Sequence, residues 1–359
     1  MGICTVGRRT LVVLAMTFIA VTSTHAQDVS DKFSVHGYLT QAYAKSDKIP
    51  TSGITRDGTW DYRVFALQMR YAATDNDQVV MQVRNRRIGT SLLSDDGVQL
   101  DWAYYAHNFG PLVAKIGKAP LPLGLYNEIR SVGTILPFYR APSTFYREGV
   151  ETIKGIVLST RLPLGAWSLE STVFGGGTSI DVPTPTPFGV IRVKFEAEEN
   201  YGTQMWLNTP IPGLRVGGTW LRFQAKFPTD TSMNNAFVGS VDGTFDRFFV
   251  RGEYQRLKLA GFFPNGDETQ ILFHGQAGMK LFGPLSLNVQ EEGAHVTDLG
   301  YTYRDLDDHA VGVNYALESN MVFKVEAHRR NGYNFDTYLA PTGPAGKSSY
   351  GIASMSVSF

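Results

Sequence analysis

The sequence predicts an all-β protein, a transmembrane antiparallel β-barrel of sixteen strands, with fourteen and eighteen as the neighbouring even counts. Three observations carry that expectation. The hydrophobic period is two rather than 3.6; short and long connections alternate between the periodic segments; and the chain ends in mid-strand on an aromatic residue, Phe359. Thirty-seven glycines and 44 aromatic residues fit such alternation, and beyond residues 11–21 no long apolar run competes with it.

The first 26 residues read as a secretory signal peptide. Arg8 and Arg9 precede an eleven-residue apolar run, Leu11 to Val21, and Thr24-His25-Ala26 supplies a small-residue cleavage site. A membrane-spanning helix takes about 20 residues, so the run is too short to be an anchor. Residues 27–359 are then the outer-membrane barrel. The one cysteine, Cys4, leaves with the signal, so neither a disulfide nor a lipid anchor is expected. Loss of Arg8 and Arg9 leaves 31 basic against 33 acidic residues, a balance that offers nucleic acid no electrostatic attraction.

Taken in order, the strands fall near 33–45, 60–73, 77–87, 97–108, 111–118, 152–161, 166–175, 199–209, 213–225, 235–243, 246–257, 269–281, 284–294, 308–317, 320–329 and 348–359. Every second connection is short and rich in turn formers, as in Thr74-Asp75-Asn76, Leu162-Pro163-Leu164-Gly165 and Phe282-Gly283. The intervening ones run from nine residues (226–234) to 33 (119–151). Soluble sandwiches and propellers also have many short strands, but neither predicts this strict asymmetry of the two ends. Outer-membrane barrels do, with short periplasmic turns and long external loops.

Each strand separates a bulky apolar face from a polar one. Val79, Met81 and Val83 oppose Gln82, Arg84 and Arg86; Val98, Leu100, Trp102 and Tyr104 oppose Gln99, Asp101, Tyr105 and His107; Met321, Phe323 and Val325 oppose Lys324 and Glu326. That division suits lipid outside and a wet lumen inside. Tyr71, Phe109, Phe245 and Phe282 near the short turns, and Tyr43, Trp60, Phe174, Tyr201 and Trp220 near the long loops, suit two interfacial girdles. In 214–223 the apolar face changes parity, from Val216 and Trp220 to Leu221 and Phe223, which calls for a bulge or a different boundary.

Three stretches resemble Gram-negative outer-membrane porins, in particular the phosphate-selective-porin-like family and related diffusion porins. They are Gly37-Tyr38-Leu39-Thr40-Gln41-Ala42-Tyr43, Gly117-Lys118-Ala119-Pro120-Leu121-Pro122-Leu123-Gly124-Leu125-Tyr126-Asn127-Glu128 and the terminal Ser356-Val357-Ser358-Phe359. The resemblance implies a homotrimer in outer-membrane lipid and lipopolysaccharide, a third loop folded into the pore, and Phe359 as the signal read by the barrel-assembly machinery. It also implies passive diffusion of small hydrophilic solutes or ions. No lysine-rich cluster accompanies these motifs, so phosphate specificity does not carry over.

Residues 119–151 are the expected selective element. A loop of that length is usually functional, and Leu121, Leu123, Leu125, Ile135, Leu136, Phe138 and Phe145 would be wasted in water. Tyr126, Glu128, Arg130, Arg140, Arg147, Glu148 and Glu151 are its candidate constriction residues, and Arg70, Arg84, Arg86, Asp101 and Lys115 the candidate pore wall. Cations outnumber acids in this set, which predicts a modest anion preference; pairing among them would instead leave a nearly neutral eyelet. No catalytic residues, metal site or cofactor are expected. Asp307-Asp308-His309 reads as a solvated external loop, and the six histidines of the mature chain stand singly. A receptor, adhesin or structural barrel with a closed pore is the alternative from another class. The last strand is expected to close on Phe33 to Leu39.

Overall fold

The computed structural model describes residues 27–149, 151–186, 189–226, 231–263, 266–298, 301–334 and 343–359. The signal peptide expected over residues 1–26 lies outside the described residues. The strands are β1 (Gln27–Ser30), β2 (Phe33–Ser46), β3 (Thr59–Ala72), β4 (Asp77–Ile88), β5 (Gln99–Asn108), β6 (Leu112–Pro120), β7 (Thr152–Leu164), β8 (Trp167–Thr186) and β9 (Gly189–Asn208). They continue as β10 (Leu214–Lys226), β11 (Thr231–Thr244), β12 (Phe248–Phe263), β13 (Gly266–Phe282), β14 (Leu285–Asp298), β15 (Tyr301–Glu318), β16 (Met321–Asn334) and β17 (Gly343–Ser358).

Each of β2 to β17 pairs antiparallel with the next, and β17 pairs with β2, so sixteen strands close a barrel. Closure follows from solvent: a strand edge facing hydrocarbon would leave each backbone group unpaired at a cost of several kcal/mol. At the seam Tyr350 lies opposite Ser46 and Ser358 opposite Tyr38. Gly37 and Phe359 then exchange two backbone hydrogen bonds of 2.9 Å. The partner is the expected strand, shifted toward its middle. The first residues of β2 instead carry the short β1, with Gln27 opposite Val35 and Ser30 opposite Phe33.

All sixteen predicted segments are strands, and the turns at one end are two to five residues long. The other end differs from expectation. Residues 176–198, predicted as a long loop, are mostly the outer halves of β8 and β9, each 20 residues long. Asp307, Asp308 and His309 likewise sit within β15 rather than in a loop. Beyond the lipid both faces of a strand meet water or protein, so apolar alternation stops while the hydrogen-bond ladder continues.

The faces follow the pleat. Val79 and Met81 are exposed on the outer surface while Gln82, Arg84 and Arg86 are buried inside; Phe323 and Val325 oppose the buried Lys324 in the same way. In β5 the expected division fails. Gln82 pairs with Trp102 but Val83 with Leu100, so Asp101 is an extra, bulged residue and the faces exchange beyond it. Trp102 is buried and Tyr104 packs inward with Lys115 5.3 Å from its ring centre, while Tyr105 turns out. In β10 no exchange occurs: Val216 and Trp220 face out, and Leu221 and Phe223 lie on the lumen side against the inward loop. The bulge in its pairing with β9 comes later, between Arg222 and Gln224.

Candidate pore constriction

The loop between β6 and β7 leaves the wall at Pro120 and returns at Thr152, and its neck is narrow because its two limbs are tied together. Leu121 N donates to Glu151 O (3.0 Å), and the Asn127 amide donates to Leu121 O (2.8 Å) and Glu151 O (2.9 Å). From that neck Leu121, Leu123, Tyr126, Leu136, Phe145 and Tyr146 pack on an apolar patch of the inner wall that includes Val157, Phe174, Leu221, Val238, Leu257 and Leu272. Burial of this kind is worth about 25 cal/mol per Å², so the apolar side chains themselves fold the loop inward. Phe174 belongs to this patch and not to an outer aromatic girdle.

Beside the neck a charge cluster joins the return limb to β4 and β5. Arg84 contacts Glu151 (3.2 Å) and Asp101 (3.3 Å); Arg86 pairs with Glu148 and Glu151 (3.0 Å to the latter); Arg130 approaches Glu148 at 3.3 Å. Gln82 donates to Asp101 at 2.7 Å. Burial raises the Glu148 carboxyl above its ordinary range. Burial acts the same way on Glu151, but Arg84, Arg86 and Arg130 outweigh it and hold that carboxyl well below the usual range. Six of the expected residues, Arg84, Arg86, Asp101, Arg130, Glu148 and Glu151, thus meet in one place. They are paired with one another rather than open to the lumen.

The far side of the loop is held by residues that sequence reasoning did not single out as anchors. Lys324, fully buried, donates to the carbonyl oxygens of Gly133 (2.5 Å), Leu136 (2.6 Å) and Phe138 (2.9 Å). Glu326 accepts from the Tyr139 amide, and Glu292 from the Thr144 amide at 2.7 Å. Glu253 accepts from the Leu125 amide (2.9 Å) and from the Tyr146 hydroxyl. The available signal was charge at lumen-facing positions of β12, β14 and β16, which a freely hydrated wall does not require.

The remaining expected residues are dispersed. Arg147 is buried within the loop, donating to Thr144 O and to Gln270, both at 3.0 Å. Tyr126 donates to Gln276 (2.5 Å) and accepts from Arg251 (3.1 Å). Arg140 lines a small cleft with Arg86, Arg130 and Glu148. Glu128 and Lys115 line a larger cavity of about 690 Å³ between the loop and β6–β10, together with Arg161, Glu170 and Arg215. Arg70 is exposed near the short turns, away from the cluster. A second cavity, of about 320 Å³, lies under the opposite side of the loop.

No family model matches the chain, and no curated protein sequence does. Solved structures match over almost its full length. The outer membrane channel DcaP of Acinetobacter baumannii covers 91% of this chain and 97% of its own, with a TM-score of 0.63 at 10% identity. The fold is a porin fold. An anion-selective porin from Comamonas acidovorans has a TM-score of 0.58 at 12% identity over 91% of this chain and 99% of its own. OmpT, an outer membrane protein of Vibrio cholerae in its trimer form, has 0.60 at 10% over 91% and 99%. None of these structures is described as phosphate-selective, and at such identities the likeness to them is one of porin fold.

Proposed function

We propose that the chain is an outer-membrane porin, a water-filled channel for passive diffusion of small hydrophilic solutes or ions, with loop 119–151 as its constriction. The observation that carries this reading is the longest connection of a closed sixteen-strand barrel, folded into the lumen and fixed there by ion pairs and buried anchors. A modest anion preference is part of the proposal, but its source moves. The cluster around Arg84 and Arg86 is balanced by its own acids. The excess of cations lies nearer the short turns, where Lys115, Arg161, Arg215, Arg247, Arg251 and Lys280 line the two cavities against Glu128 and Glu170.

Cleavage after Ala26, homotrimer assembly, recognition of Phe359 by the barrel-assembly machinery and contact with lipopolysaccharide belong to the same proposal, as does the lack of enzymatic activity. Planar-bilayer recording of the purified protein is the test. Conductance with a reversal potential toward that of chloride in a KCl gradient is expected; cation selectivity would refute the preference. The second reading, a closed barrel serving as receptor, adhesin or scaffold, draws support from the buried lumen-facing side chains of β4 and β12–β17 around the loop. A heat-stable barrel that stays silent in the bilayer would favour it.

A further inference from the structure

We infer that the 320 Å³ cavity under the loop is a binding site for a small dianion, a sulfate-like oxyanion or a short dicarboxylate. It opens beside the short turns between β11 and β12 and between β13 and β14, and three cations line it: Arg247, Arg251 and Lys280. No carboxylate lines it with them. Arg251 is already engaged by protein groups, with Nε 3.0 Å from Asp242, one terminal nitrogen donating to the Tyr126 hydroxyl at 3.1 Å and the other to the Thr244 hydroxyl at 3.4 Å. Arg247 and Lys280 have no acidic partner among the described residues, and both side chains are exposed. Arg247 and Lys280 are thus like charges on one cavity without a counterion of their own, and a bound anion removes their repulsion.

A second observation points the same way. Asn288 lines the cavity at 2% exposure, and its Nδ2 donor has no protein acceptor. A buried amide donor left without an acceptor is costly, and an anion oxygen is the acceptor that also satisfies the cations. Leu136 and Pro137 of the loop and Phe249 of β12 line the cavity beside the buried Asn288, so the ligand would have apolar walls next to that amide while Arg247 and Lys280 reach it from the open side. Because Arg251 also holds Tyr126, an occupied site braces the underside of the constriction.

Sulfate titration by calorimetry, on the folded barrel in zwitterionic detergent, tests the site without any need for conductance, so its failure is separable from failure of the porin reading. Wild-type protein is expected to bind sulfate saturably. Arg247→Ala with Lys280→Ala should weaken binding at least tenfold, and Asn288→Leu, which keeps the charge, at least fivefold. Lys115→Ala with Arg161→Ala removes the same charge from the other cavity and should leave binding within twofold. Equal weakening by both charge pairs, or no effect of Asn288→Leu, would reduce the site to diffuse attraction and overturn the inference. Absence of saturable binding to the wild type overturns it directly.

Discussion

Glu148 and Glu151 stand three positions apart and share the same guanidinium groups, yet their carboxyls are pushed in opposite directions. Glu151 is held below the usual 4.5 despite its burial, so its contribution to docking is present above 4.5 and lost as pH falls through the lower, folded-state value. Glu148 is raised by burial, so its contribution is greatest in acid and lost as pH rises through the raised value. At neutral pH the two substitutions should therefore differ. Removing Glu151 leaves Arg84 and Arg86 short of a partner; breaking a buried pair in this way costs about 3 kcal/mol. Glu151→Gln should release the return limb, and Glu148→Gln should be milder. Thiol labelling of a cysteine at Ala141, a buried loop position, measures this. Faster labelling is expected in Glu151→Gln at pH 7, and in wild type once acid titrates Glu151. Equal labelling of both variants at pH 7 would remove Glu151 as the holding group.

Among the elements, β16 deserves its own experiment. Lys324 gives three hydrogen bonds to loop carbonyls, and hydrogen bonds to a charged group are each worth about 1.5–3 kcal/mol. Lys324→Met keeps much of the volume but none of the donors, so Gly133, Leu136 and Phe138 lose their partner. Larger and noisier single-channel currents are expected, with the barrel's melting little changed; unaltered currents would argue that apolar packing alone seats the loop. At the seam, the ring of Phe359 lies over Gly37, where an added Cβ would come within 2.4 Å of it. Gly37→Val should displace that ring and slow insertion, read as loss of the heat-modifiable band on gels, without altering the conductance of channels that do form. Elements of this kind were legible in the sequence wherever lipid imposed alternation, which is why all sixteen strands could be found. They were not legible at Asp101, where one extra residue swaps two faces, nor in the outer halves of β8 and β9, where no lipid enforces a pattern. For the site, apolar content exposed the inward loop, but pairing could not be read: nothing local says that Arg84 and Arg86 would spend their charge on Glu148 and Glu151.

For the whole molecule, the proposed channel would take its selectivity from the position of the loop. A chain lacking residues 122–146 should keep its closed ladder, because none of the strand pairings uses them, and it should conduct several-fold more current with weaker ion preference. Unchanged current in that deletion would mean that the loop is not the constriction. The anchors also say something about time. Lys324 reaches Gly133 across 191 positions and Glu326 reaches Tyr139 across 187, separations at which contacts form late because loop closure precedes any reward. The loop can therefore settle on β4 and on the apolar wall of β7–β13 first, but its far side lacks the Lys324 and Glu326 anchors until β16 is in place. During assembly the barrel passes through a stage in which the loop is seated on one side only, and the finished constriction waits for the penultimate strand.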